Sequence, residues 1–246
     1  MDTANRPKTK PRRRDSLRLM QGVSRWLAVI GAVLLIGAVV FSVRSGIADL
    51  IIRDAIIQHT ELSERAARTG ITADMREANA IIDELLRSQR LDPGNPATAE
   101  KLGSLYSLNV RNVDAGTTLG ARREKALEQY SSAVGKRPTS PYAWANIAWT
   151  KYHLGQVDAD FYRALDNAIR LGPWEPEIQM VILEFGFALW EELPPDMRPK
   201  ILAVARNGQH RQAEKILAIA RKRGRLAEVC KIEKLAKSAA CMPASG

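Results

Sequence analysis

Residues that could perform chemistry are few in this sequence and lie far apart. The three histidines are His59, His153 and His210, and neither they nor the two cysteines have the spacing of metal ligands. The sequence also contains no Gly-rich phosphate loop and no Gly-x-Ser-x-Gly nucleophile motif. We therefore expect no metal site and no cofactor.

Three carboxylates near Trp190 come closest to a catalytic group. Glu191, Glu192 and Asp196 lie on either side of two prolines, and glycoside hydrolysis uses a pair of carboxylic acids. Adjacent glutamates on a helix point in different directions, however, and a helix end followed by prolines is typical of a solvated surface. We interpret the cluster as surface and expect that the protein is not an enzyme.

Aromatic residues in the middle of the chain are a better candidate for a binding site. A helix numbered from Pro141 places four ring side chains on the face that would line a groove: Tyr142, Trp149, Tyr152 and His153. Aromatic faces in a groove suit a peptide segment or a sugar ring. The alternative is that these rings pack against the next helical hairpin.

The element that positions everything else is an apolar segment near the N-terminus, residues 26–43. It contains eighteen residues without a charge, close to the shortest helix that crosses roughly 30 Å of hydrocarbon. A cleaved signal peptide is the rival interpretation, because Gly46 and Ala48 are small residues that suit a cleavage site. The length of the segment and Arg44 directly after it favour a retained transmembrane helix.

Charge is distributed unevenly along the chain. Residues 1–25 have a net charge of +6, residues 44–197 of −5 and residues 198–238 of +9. The positive-inside rule predicts a cytoplasmic N-terminal tail and an exported domain. The basic C-terminal block either attracts anionic lipid or an anionic glycan, or is a solvated helix surface. Nucleic acid is not an expected partner, because the basic N-terminal cluster adjoins a membrane helix.

Both cysteines, Cys230 and Cys241, lie near the C-terminus and, with this topology, in an oxidising compartment. The residues between them allow a small closed loop if the last helix ends near Lys237 and the chain turns back. The sequence leaves open whether they form a disulfide or remain two independent thiols.

The exported part is predicted to be helical, because Ala, Leu, Ile, Glu, Lys and Arg recur at helical spacing and strand-like alternation is rare. Proline-ended phrases occur at residues 90–96, 135–141 and 170–176, and the last two are 35 residues apart, close to the 34-residue tetratricopeptide period. The longer first interval indicates an insertion within residues 107–120. We predict an all-α protein: an N-terminal single transmembrane helix followed by a TPR-like helical-hairpin solenoid.

Within these repeats, Gly103 and Ala148 occupy the small-residue positions of the tetratricopeptide pattern, and Tyr130 and Trp144 occupy large-residue positions inside the hairpins. The predicted organisation follows from this pattern. It comprises a basic cytoplasmic tail (1–25), the transmembrane helix (26–43), a juxtamembrane helical segment (44–72), TPR-like repeats (73–193), basic capping helices (194–238) and a flexible tail (239–246).

Two tryptophan-containing phrases, residues 141–148 (PYAWANIA) and 171–179 (LGPWEPEIQ), resemble the VpsP-like proteins of bacterial exopolysaccharide biosynthesis clusters. The resemblance covers roughly residues 75–232. Members of that family are small, single-pass, TPR-like accessory proteins with an N-terminal anchor. The resemblance implies a bacterial inner-membrane protein with a periplasmic domain and protein partners in a polysaccharide synthesis or export complex. It carries over no active-site residue.

The sequence therefore predicts a non-enzymatic membrane-anchored scaffold or adaptor in exopolysaccharide biosynthesis or export. Two other functions stay open. One is a scaffold of a different envelope machine, such as a pilus, secretion or division complex. The other is a protein that binds glycan directly.

Overall fold

The computed structural model describes residues 13–70, 72–111 and 118–242. The predicted basic tail therefore lies partly outside the described residues, and the first helix begins within it at Arg13. The elements in chain order are α1 (Arg13–Thr69), β1 (Ala73–Asp74), α2 (Met75–Leu91), α3 (Pro96–Ser107), β2 (Val110–Arg111), α4 (Leu119–Lys136), α5 (Pro141–His153), α6 (Ala159–Leu171), α7 (Pro176–Ala188), α8 (Met197–Gly208), α9 (Ala213–Lys222), α10 (Leu226–Val229), α11 (Glu233–Ala236) and a 3₁₀ turn (Ala239–Cys241).

Helix α1 is 57 residues long and continues unbroken from the apolar segment into the domain. Among the described residues, its part Trp26–Ala66 is the stretch long and apolar enough to cross a membrane, and the apolar window within it is not covered by any other element. The predicted helix is confirmed. It extends well beyond residue 43, where the uninterrupted apolar segment ends.

The second half of α1 forms the first helical hairpin with α2. Its side facing α2 buries Ala48, Ile52, Ala55 and Leu62, and the last three share one apolar cluster with Ile81, Ile82 and Leu85 of α2. Near the C-terminal end of α2, Ser88 Oγ donates to the Ala48 carbonyl at 3.2 Å. The hairpin stack therefore begins within α1, earlier than the predicted start at residue 73.

Prolines begin the first helix of each following hairpin, as the sequence predicts. Pro96, Pro141 and Pro176 each occupy the first turn of α3, α5 and α7, where the missing N–H is not needed. The residues before the prolines of α3 and α5 cap these helices: Asn95 Oδ1 accepts from Ala97 N at 2.9 Å, and Ser140 Oγ accepts from Ala143 N at 3.3 Å. Helices α3/α4, α5/α6 and α7/α8 then pack as successive hairpins, which confirms the all-helical class.

Small residues allow the helices of a hairpin to approach closely. Gly103 in α3 lies under the ring of Tyr130 in α4, so that a Cβ at residue 103 would lie 2.6 Å from that ring. Ala126, Ala133 and Ala148 are also fully buried at these contacts. The large residues between the hairpins include Phe161, Leu165 and Ile182, which form part of one continuous core.

The sequence did not indicate the short strand pairing in the structure. Residues Ala73–Asp74 pair in parallel with Val110–Arg111, which closes the first hairpin onto the second. Val110 and Arg111 lie in the predicted insertion, residues 107–120. Residues 112–117 of this insertion fall outside the described residues. Arg122, buried beside this pairing, donates from Nη2 to the Leu105 carbonyl at 2.8 Å.

The basic C-terminal helices cap the stack. Helix α9 is joined to α7 through Glu184, which accepts from Lys222 at 3.0 Å and also from Arg223. A buried amide contact adds to this, with Gln212 Nε2 donating to Gln179 Oε1 at 3.1 Å. The predicted tail begins later than residue 239, because Ala239–Cys241 forms the 3₁₀ turn; residues 243–246 lie outside the described residues.

The Gly103–Tyr130 contact gives a prediction for stability. Gly103→Ala should displace the Tyr130 ring and lower the free energy of unfolding by about 1–3 kcal/mol. Gly135→Ala is the matched control, because a Cβ there meets no atom within 4 Å, and it should raise stability by about 0.5–1 kcal/mol. Thermal unfolding of both variants measures the difference; equal midpoints would contradict the proposed close packing.

Candidate functional site

Helix α5 positions the residues that the sequence predicted as a binding groove. Ser140 caps its N-terminus and Pro141 fills its first turn, so the register of the helix is set from its first residue. Ala143, Ile147 and Ala148 turn into the core. We call the side that carries Tyr142, Trp149, Tyr152 and His153 the aromatic face.

The four residues of the aromatic face differ in exposure. Tyr142 is 40% exposed and Trp149 is 39% exposed, while His153 is exposed and Tyr152 is half-buried. Trp149 and His153 are one helical turn apart and their ring centroids lie 4.6 Å from each other. Tyr142 lies two turns before Trp149 on the same side of α5. The face is thus a line of rings about 16 Å long along the helix.

A phenylalanine of the next hairpin supports this line of rings. Phe185 of α7 is buried, and its ring centroid lies 5.3 Å from that of Trp149 and 4.7 Å from that of Tyr152. Trp149 and Tyr152 thus both pack against the next hairpin through Phe185, and Trp149 keeps part of its indole exposed. Sequence reasoning missed Phe185, although its place in the first helix of the next proline-started repeat was a usable signal.

The aromatic face is uncharged at neutral pH. Burial, together with the positive charge of Arg123, lowers the pKa of His153 below its ordinary value, so its imidazole is neutral. Arg123 Nη1 also donates to the His153 carbonyl at 3.1 Å. At the other end, Tyr142 Oη donates to Glu175 Oε2 at 3.0 Å, and this hydrogen bond raises the pKa of Tyr142. Such a surface offers ring faces and neutral hydrogen-bonding groups to a ligand.

A second concavity lies on the opposite side of α5, between α4 and α6. It has a volume of about 470 Å³, and its lining includes Leu127, Trp144, Ile147 and Lys151. Trp144 was expected to turn fully into the hairpin; it is half-buried and donates from Nε1 to the Pro138 carbonyl at 2.8 Å. Lys151 is buried and forms an ion pair with Asp158 at 2.9 Å. This ion pair closes the turn between α5 and α6.

Two of the three carboxylates near Trp190, Glu191 and Asp196, form ion pairs. Glu191 contacts Arg225 at 2.8 Å and Arg198 at 3.4 Å. Asp196 contacts Lys200 at 3.0 Å, and the hydrogen bond from that lysine lowers the pKa of Asp196. A lowered pKa keeps this carboxyl ionised, which is opposite to what a general acid requires.

The structure joins Cys230 and Cys241 by a disulfide, with their Cα atoms 5.5 Å apart. The bond links the end of α10 to the 3₁₀ turn, so the chain does turn back after α11. Elsewhere in the described ranges, no three His, Cys, Asp or Glu side chains lie close enough together to hold a metal ion.

The electrostatics of the aromatic face predict a shifted histidine titration. His153 should titrate below the ordinary histidine pKa of about 6.5, and Arg123→Gln should raise its pKa toward that value by removing the neighbouring positive charge. Folding stability linked to this group is then fully present above about pH 6.5 and is lost as the pH falls through the folded-state pKa. NMR of histidine-labelled protein measures the shift; an unchanged titration of His153 in Arg123→Gln would show that the arginine has no influence on it.

No protein-family model matches this chain, and no curated protein is significantly similar to it. The chemistry assigned to the aromatic face is therefore based on the residues of this chain.

Proposed function

We propose that this protein is a single-pass adaptor of the bacterial inner membrane, without a catalytic role, that holds partners in an exopolysaccharide synthesis or export complex. The observation that carries the adaptor function is the aromatic face, a half-exposed line of rings on the stack of helical hairpins. Helix α1 connects this stack directly to the apolar segment. Stacks of helical hairpins supply extended binding surfaces. The polysaccharide pathway is supported by the resemblance to VpsP-like proteins.

The proposed orientation has a cytoplasmic N-terminus and a periplasmic hairpin domain. The net charge of +6 on residues 1–25, compared with −5 on residues 44–197, supports it. The disulfide between Cys230 and Cys241 is also in keeping with an oxidising compartment.

Cysteine labelling in cells tests this orientation. Thr139→Cys, on the exposed turn before α5, should react with a membrane-impermeant maleimide once the outer membrane is permeabilised. Thr3→Cys should react only after the inner membrane is broken. The reverse pattern would place the domain in the cytoplasm, and labelling of both sites before lysis would indicate that the N-terminal segment does not remain inside.

The partner at the aromatic face is proposed to be a peptide segment that contributes an apolar or aromatic side chain. Trp149 is the expected anchor, because an indole with one free face and a packed reverse side provides a large contact area with little loss of side-chain freedom. Tyr142 and His153 add a hydroxyl and a neutral imidazole, one at each end of the line.

Affinity capture from solubilised membranes tests this role. Trp149→Ala should weaken capture of the main partner about 30-fold, equivalent to about 2 kcal/mol. Leu119→Ala removes another exposed apolar side chain, on α4, and should leave capture unchanged. An equal loss in both variants would argue against binding at the aromatic face.

The identity of the captured proteins separates the possible pathways. Glycosyltransferases or polysaccharide exporters support the proposed complex, whereas pilus, secretion or division components would replace it with another envelope machine. Direct glycan binding is the second candidate, favoured by the exposed Trp149 ring and by the charge of +9 on residues 198–238, which suits an anionic glycan. Retention of purified protein on immobilised glycan that disappears in Trp149→Ala would favour it.

A further inference from the structure

Helix α1 has an apolar stripe that the hairpin domain leaves uncovered. Ile47, Leu50 and Ile57 are 46%, 67% and 57% exposed, respectively. They lie on one side of α1, whereas Ala48, Ile52 and Ala55 on the other side are buried against α2. At 3.6 residues per turn, the two sides are roughly 140° apart around the helix. The domain therefore does not block access to the stripe.

The far end of this stripe lies beyond the reach of lipid. If the bilayer core ends near Val43, Leu50 is about 10 Å and Ile57 about 21 Å further along the helix. The headgroup layer on each side of the bilayer is only about 5–8 Å thick. Leu50 and Ile57 thus project into water in the isolated chain, and exposed large apolar side chains in such a row are typical of a protein contact.

The spacing of the stripe is that of a coiled coil. From Val40 onward, the residues on this side are separated alternately by three and by four positions. They are Val40, Val43, Ile47, Leu50, Asp54 and Ile57. Alternation of three and four is the heptad pattern by which two helices pack side by side. The first core position of each heptad holds Val40, Ile47 and Asp54, and the second holds Val43, Leu50 and Ile57. The heptad of Ile47 and Leu50 has a β-branched residue at the first position and leucine at the second, the combination that favours two-stranded parallel coiled coils. Within the membrane every side of the helix is apolar, so the residues beyond it carry this argument.

We propose that the stripe is covered by the same stripe of a second copy of this chain, so that α1 forms a parallel two-stranded coiled coil running from the membrane into the domain. Two copies anchored by the same segment are necessarily parallel and at the same depth. Leu50 then faces Leu50 and Ile57 faces Ile57. A coiled coil requires this register.

Charges beside the stripe are complementary in this arrangement. Asp54 occupies a core position and is exposed, where its carboxylate accepts a hydrogen bond from Gln58 at 2.7 Å. Arg53 is exposed on the flank directly before it. In a parallel pair, the flanking residue of one helix lies next to the core residue of the other, so each Arg53 meets the Asp54 of the second copy and compensates a charge that would otherwise repel its counterpart.

Pairing through α1 leaves the aromatic face free, because that face lies on α5. A dimer carries two aromatic faces at a distance set by α1. When a partner has two binding segments and one is bound, the effective concentration of the second segment at the other face is far above its concentration in free solution.

Cysteine cross-linking of the full chain in its membrane tests this proposal. Leu50→Cys and Ile57→Cys, each with two differently tagged copies expressed together, should form a disulfide that shifts the band from 27.2 kDa to twice that mass and carries both tags. Asp49→Cys is the matched control, because residue 49 is exposed on the same helix but outside the stripe, and it should remain monomeric. Maleimide labelling before oxidation, without a reductant that would open the Cys230–Cys241 disulfide, verifies that the introduced thiol of each variant is reachable.

The outcomes are distinct from those of the adaptor tests, because cross-linking needs no partner. A doubled band with both tags at residues 50 and 57 supports the dimer. A monomer at both sites, an equal yield at residue 49, or a cross-link to a different protein overturns it.

Discussion

Contact between the second half of α1 and α2 is the interaction on which the rest of the domain depends. Alanines at positions 48 and 55 let α2 approach closely, and Ile52 and Leu62 fill the space between the helices. Each later hairpin packs mainly against its neighbours in the chain, so the direction of the stack is inherited from this first contact. Because α1 is unbroken, one continuous helix connects the apolar segment to the hairpins.

Close approach of backbones is repeated along the stack, with a different large residue at each level. Tyr130 covers Gly103, and Ile201 lies 2.7 Å from where a Cβ of Gly186 would be. Two buried polar side chains have partners within the stack: the amide of Gln179 donates to the Pro173 carbonyl at 2.8 Å, and Lys151 forms an ion pair with Asp158. Satisfied polar groups inside an apolar core specify one arrangement of the helices. A binding surface formed across two hairpins needs that rigidity.

The aromatic face is formed across two hairpins, because it exists only when α7 is stacked on α5. Phe185 supports the Trp149 and Tyr152 rings from below, and Arg123 of α4 holds the C-terminal end of α5 through the His153 carbonyl. Three successive hairpins thus contribute to one line of rings. In the proposed function, this arrangement recognises a partner through neutral groups. Near Trp190, Glu191 and Asp196 are paired with arginine and lysine. In the proposed dimer, pairing of the two α1 helices would bring two aromatic faces into one assembly.

The sequence by itself determined the elements whose cause is local. Eighteen uncharged residues predict a helix that can cross a membrane, the proline that ends each phrase predicts the start of α3, α5 and α7, and Gly103 predicts close helix contact. Only the tertiary structure decided which residues meet across hairpins. It extended α1 into the first hairpin, paired Ala73 with Val110, placed Phe185 beneath Trp149 and left the far side of α1 uncovered. These features depend on contacts between distant parts of the chain, and the apolar period of one helix indicates that a side is buried or exposed without identifying what lies against it.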